Sequence, residues 1–224
     1  MKLVSGGYLL AKPSARTACH QAHLVPAKIL SASSCLSEHV PGFDLYGGAG
    51  YPDEAVVAEY PNRFETADDL IATREFLMTL LRDGQLEYPS VFVSVDAARE
   101  FARRLKPEDE PLVLFGISTA KEHADALLHN VANFCSCVAV LRRNLPPERG
   151  EVLGWEVLGD DYGHFHSWFC NSIEITAERW GIKPNANGFL DFLEEAERVA
   201  SYCNQPDTAE PGYWAPWQIT RYPL

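Results

Sequence analysis

The residues in this chain with the clearest chemical potential are His164, His166 and Cys170. A cysteine thiolate activated by a neighbouring imidazole is a nucleophile, and would serve a hydrolase or transferase. His166 and Cys170 are four apart, so on a helix they would share one face. Three features weigh against that use. Pairing along a single helix seldom gives nucleophile–base geometry, Cys170 lies in an apolar run where a thiol acts as a small hydrophobe, and no glycine-rich oxyanion loop adjoins it. The leading reading is that both histidines help to fix the turn at Asp160–Asp161. A second candidate is the repeated Cys-x3-His spacing at Cys19/His23 and Cys35/His39. Four such ligands could hold zinc tetrahedrally, but their order is not that of the usual Cys-x2-4-Cys knuckle. They read better as loop residues, and no cofactor is expected. Tyr46-Gly-Gly-Ala-Gly50 lacks the Lys-Ser/Thr of a phosphate loop. The adjacent acids Asp68-Asp69, Asp160-Asp161 and Glu194-Glu195 point different ways and suit caps and solvated faces rather than acid–base catalysis.

The elements that must position these residues lie mostly in the stretch Gly150–Gly181. Val152, Trp155, Val157 and Leu158 suit a strand. An acidic turn follows at Asp160–Gly163. From His164 to Trp180 the apolar residues Phe165, Trp168, Phe169, Ile173, Ala177 and Trp180 keep helical spacing, and Gly181 ends the run. Asn187 then caps a second helix whose inner face is Phe189, Phe192, Leu193, Ala196, Val199, Ala200 and Cys203. Its outer face is Asp191, Glu194, Glu195 and Glu197, and the short connection predicts a C-terminal αα-hairpin.

Upstream, Thr66 with Asp69 predicts a capped helix to Arg82, burying Leu70, Ile71, Phe76, Leu77, Leu80 and Leu81. Ser90–Val95 reads as a strand, and Asp96–Leu105 as a helix carrying Arg99, Arg103 and Arg104. Leu112–Ile117 is the strongest strand signal, and Thr119 with Glu122 predicts a capped helix to Asn130. Phe134–Leu141 alternates as a strand would. Val25–Leu30 and Ala55–Ala58 read as short strands, and Gly212–Leu224 as a last strand or an extended tail. The pattern predicts an α+β fold, a single-layer mixed sheet packed against helices. Residues 90–118 would make one right-handed crossover. At 224 residues a single domain is expected, with an irregular N-terminal part at 1–62 and a core at 63–224.

The net charge of −12 repels phosphate backbones, which argues against nucleic acid, and it would attract a basic protein. No apolar run approaches the roughly 18 residues of a membrane span. The run Leu3–Leu10 is interrupted by Ser5, Gly6 and Gly7 and does not read as a signal peptide. Six cysteines in a chain of this length are not a disulfide scaffold, so a reducing cytoplasm is expected. All five tryptophans fall after residue 150, more than a core of this size is expected to need, and aromatic groups beside carboxylates make good protein anchors.

Leu153-Gly-Trp-Glu-Val-Leu-Gly-Asp-Asp161, His166-Ser-Trp168, Gly181-Ile182 and Asn187-Gly188 together resemble the immunity proteins, small acidic bacterial proteins encoded beside secreted or polymorphic toxins. The resemblance implies a non-catalytic inhibitor that binds and occludes a cognate toxin. On the present reading the partner would meet Asp160, Asp161, Tyr162, His164, Glu194, Glu195, Tyr213 and Trp214. Oligomeric state is not legible in the sequence.

Overall fold

In the computed structural model, residues 1–15, 24–42, 45, 64, 66–87, 90–105, 111–130, 136–161, 164–171 and 173–224 are described. The strands are β1 (Leu3–Ala15), β2 (Lys28–Ile29), β3 (Ser37–Val40), β4 (Leu86–Glu87), β5 (Val91–Phe92), β6 (Val113–Ala120), β7 (Glu151–Asp161), β8 (His164–Ser167) and β9 (Tyr213–Tyr222). The helices are α1 (Ala67–Arg82), α2 (Val95–Ala102), α3 (Lys121–Asn130), α4 (Ser136–Leu141), α5 (Trp168–Asn171), α6 (Ile173–Trp180) and α7 (Leu193–Cys203). The chain is α+β.

The sheet runs β4-β5-β1-β6-β9-β7-β8, with β2 and β3 also on β1. Every pairing among the described strands is antiparallel. β5 and β6 flank β1 and therefore run parallel to each other, with α2 in the connection between them. Residues 3–15 thus form an interior strand of the sheet.

Side chains alternate across each strand, so successive residues feed opposite layers. Leu9, Ala11, Phe115, Ile117, Trp217 and Ile219 pack with Ala124 and Leu127 of α3 and with Val138 and Leu141 of α4. Tyr8, Leu10, Leu114 and Tyr222 face the other way, onto Leu70 and Leu77 of α1 and Phe101 of α2. On that same side Trp155, Val157 and Trp214 meet Trp168, Phe169, Ile173 and the inner face of α7. Helices therefore cover both faces of the sheet.

The sheet also curls. Ser14 of β1 pairs with Ile29 of β2, and two residues later Ser31 reaches Glu156 of β7. The registers set Glu156 opposite Trp217 of β9 and level with Val4, ten residues along β1 from Ser14 (14 − 4 = 10). The far end of β1, with the bend after β2, must curl back over the sheet for this contact to form.

Several local expectations fail for non-local reasons. Phe134–Leu141 does not form a strand: Ser136–Leu141 is helical, and 131–135 lie outside the described residues. Thr119 does not cap α3. It lies in β6, and its hydroxyl donates to the Pro216 carbonyl at 2.7 Å. The helix expected over His164–Trp180 begins as strand β8 and then divides into α5 and α6. Near the C-terminus α6 and α7 meet at their C-terminal ends, where Trp180 lies edge-on to Tyr202 and Arg198 stands over the Trp180 ring. The chain between them first lays Leu190 beside Trp155 on β7. Ala55–Ala58 lies outside the described residues.

Candidate functional site

The acidic rim is built by a turn that the sequence hides in Asn185. Its side-chain oxygen accepts from the amides of Asn187 (2.9 Å) and Phe189 (3.1 Å). Its side-chain amide donates to the Leu153 carbonyl (3.0 Å) and to Asp191 Oδ1 (2.8 Å). Trp155 and Leu190 then exchange two backbone bonds of 2.8 Å. Asn187 is inside this turn and does not cap α7. The N-cap is Phe192, which has no capping side chain and is 62% exposed. The expectation that Phe192 is core is therefore corrected. Ala196, Val199, Ala200 and Cys203 are buried as their spacing predicts. Asp191, Glu194 and Glu197 are exposed and Glu195 is half-buried. The result is an exposed phenylalanine among carboxylates at the start of α7, fixed to the sheet through Asn185.

The other residues expected to meet a partner are placed differently. Asp160 is 3% exposed and faces into the protein. Trp214 is buried against Gly159, where a Cβ would lie 2.4 Å from its indole. Asn204 brackets Trp214, accepting from its amide at 2.9 Å and donating to its carbonyl at 2.8 Å, and the indole N–H donates to the Glu210 carbonyl. Asp160 and Trp214 are structural and offer no contact area. Tyr213 is half-buried, its hydroxyl 3.2 Å from His123 Nδ1 of α3. Asp161 pairs with His164 in the β7–β8 ladder, while their side chains and all of Tyr162 lie outside the described residues. Trp155, Trp168, Trp214 and Trp217 are buried and Trp180 is half-buried. The late tryptophans fill a core on both sides of the sheet and do not form a recognition surface.

The Cys170–His166 pair loses its geometric basis, because His166 lies in β8 and Cys170 in α5. Four-residue helical spacing does not operate across that boundary. Of the zinc candidates, Cys19 and His23 lie outside the described residues. Cys35 is exposed, and His39 in β3 donates from Nε2 to the Ser31 carbonyl at 3.0 Å. Burial lowers the His39 pKa and favours its neutral form. Among the described residues no three His, Cys, Asp or Glu side chains gather as metal ligands.

Among the described residues, the strongly perturbed carboxylate is Glu156, in β7 and 0% exposed. Its Oε1 accepts from the hydroxyls of Ser31 (2.5 Å) and Ser167 (2.8 Å), and its Oε2 from the Ala32 amide (3.1 Å). Desolvation pushes its pKa up to about 7, and these three hydrogen bonds offset only part of that. Ser31 Oγ in turn accepts from the Ser33 amide, and the Ser31 amide donates to Ser37 Oγ. A glutamate inside the apolar run Leu153–Leu158 was the only sequence signal for this network.

No family model, curated protein or solved structure matches this chain. No helix among the described residues is long and apolar enough to cross a membrane.

Proposed function

We propose that this protein is a non-catalytic binding protein of the immunity type, which neutralises a basic bacterial toxin domain in the cytoplasm by covering it. The observation that carries the reading is the rim at the start of α7. Phe192 stands exposed between Asp191 and Glu194, on a turn anchored to the sheet by Asn185. An exposed aromatic group ringed by carboxylates fits an apolar socket with a cationic border. The net charge of −12 would speed the approach of such a partner and repel nucleic acid.

The test is co-expression with the product of the adjacent gene. The expected result is a complex whose association slows as salt rises and which is weakened at least tenfold by Phe192→Asp combined with Glu194→Lys. A neighbouring product with no toxin activity and no complex would sink the reading. A complex indifferent to both substitutions would move the contact elsewhere.

A further inference from the structure

We propose that Glu156 is a proton-operated clasp, which holds the bend at residues 30–36 against the curled sheet and loosens it when the carboxyl ionises. The clasp joins three separate stretches of chain. Ser31 and Ala32 approach from the bend after β2, Ser167 from β8, and Glu156 itself from β7, 125 residues from Ser31. Across the bend lies the apolar layer formed by Leu30, Leu158, Phe165 and Trp217, with Phe165 set edge-on to Trp217 at 5.3 Å.

No cation among the described residues stands against an ionised Glu156 in that layer. Among the described residues, the titratable groups on the elements around it are few. His39 of β3 is held neutral and occupied by the Ser31 carbonyl. Asp160 lies further along the same face of β7 and is itself an acid. Tyr213 of β9, which burial makes harder to ionise, meets His123 of α3. His166 of β8 pairs with Gly159, on the opposite face of the sheet from Ser167. None of these groups brings positive charge to the Glu156 carboxyl. The bend also buries the Ser33 hydroxyl, which has no hydrogen-bond partner among the described residues. Opening would hydrate both groups, so the closed bend is poised against water entry.

The direction follows from linkage. A carboxyl whose pKa is raised in the closed state favours closure below its unfolded value, and that contribution is lost as pH climbs through the closed-state value of about 7. The experiment is hydrogen exchange of the Ser31, Ala32 and Ser33 amides between pH 5.5 and 8, corrected for intrinsic exchange, in the wild-type chain and in Glu156→Gln. In wild type the protection of these amides should fall about thirtyfold over that range, and they should exchange faster than the β6–β9 amides. In Glu156→Gln the protection should be flat with pH. An equal fall in the variant would overturn the proposal, as would bend amides that open only together with β6–β9. If the variant does not fold, the carboxyl carbon resonance of Glu156 in the wild-type protein decides. A midpoint near 7 supports the clasp, and one below about 5.5 overturns it.

Discussion

Replacing Asn185 with alanine removes four hydrogen bonds at once, and their environments set the cost. Two partners are exposed: the Asn187 amide and the Asp191 carboxylate can turn to water. The other two belong to buried residues, the Phe189 amide and the Leu153 carbonyl. An orphaned buried polar group costs about 1–3 kcal/mol. The Leu153 carbonyl has a second lone pair and loses less than the Phe189 N–H. Asn185→Ala should therefore destabilise by about 2–4 kcal/mol. Asp191→Ala, which breaks one solvent-exposed bond, should cost under about 1 kcal/mol. Urea unfolding followed by tryptophan fluorescence measures both. Partner binding should also weaken in Asn185→Ala, even where the variant is fully folded, because Phe192 is no longer held to the sheet. A loss of stability below about 1 kcal/mol for Asn185→Ala would refute the claim that this side chain builds the rim.

Three other outcomes are expected. Gly159→Ala drives a methyl group into the indole of Trp214, which Asn204 and the β9 ladder keep from moving. Its cost should be about 1–3 kcal/mol or more in urea unfolding. Stability measured across pH should fall by about 3 kcal/mol between pH 4 and 8 from Glu156 alone, because its folded pKa of about 7 exceeds the unfolded value of 4.5. The favourable term is complete below 4.5 and gone above 7, and Glu156→Gln should remove that slope. Thr66→Ala breaks the reciprocal bonds with Asp69 at the start of α1. It should lower the urea midpoint by the equivalent of about 1 kcal/mol.

What was legible in the sequence was what short-range physics decides. Thr66 and Asp69 are three residues apart, and their capping box is present. The apolar runs of β6, β7 and β9 declare strands because each is flanked by turn residues. Thr119 shows the limit: the same local pattern as Thr66 sits above Pro216 of β9, and the hydroxyl goes there. Val138 and Val140 alternate, but a run of six residues satisfies either period, and packing beneath β1 makes it α4. Phe165 has a helical spacing to Trp168 and Phe169, yet pairing with Asp160 draws it into β8. At the candidate site the acids of α7 were visible as an outer face. Asn185 was not, because its importance lies in the Leu153 carbonyl, supplied by another strand. Glu156 was visible only as an oddity, since its partners sit at residues 31, 32 and 167.

The place of β9 has a kinetic consequence. It is the last strand in chain order, yet it lies between β6 and β7. Before it docks, β7 and β8 share no ladder with the sheet around β1 and β6, and both β6 and β7 present open edges. Its pairings with β6 link residues 100 to 108 positions apart (222 − 114 = 108, 218 − 118 = 100) and those with β7 residues 53 to 70 apart (213 − 160 = 53, 221 − 151 = 70), so loop-closure entropy must be met on both sides before the central ladder forms. A nascent or truncated chain lacking residues 213–222 would hold two half-sheets with exposed, mutually complementary edges, which are templates for association with other copies. Insertion of this one strand is therefore the step that separates productive folding from aggregation.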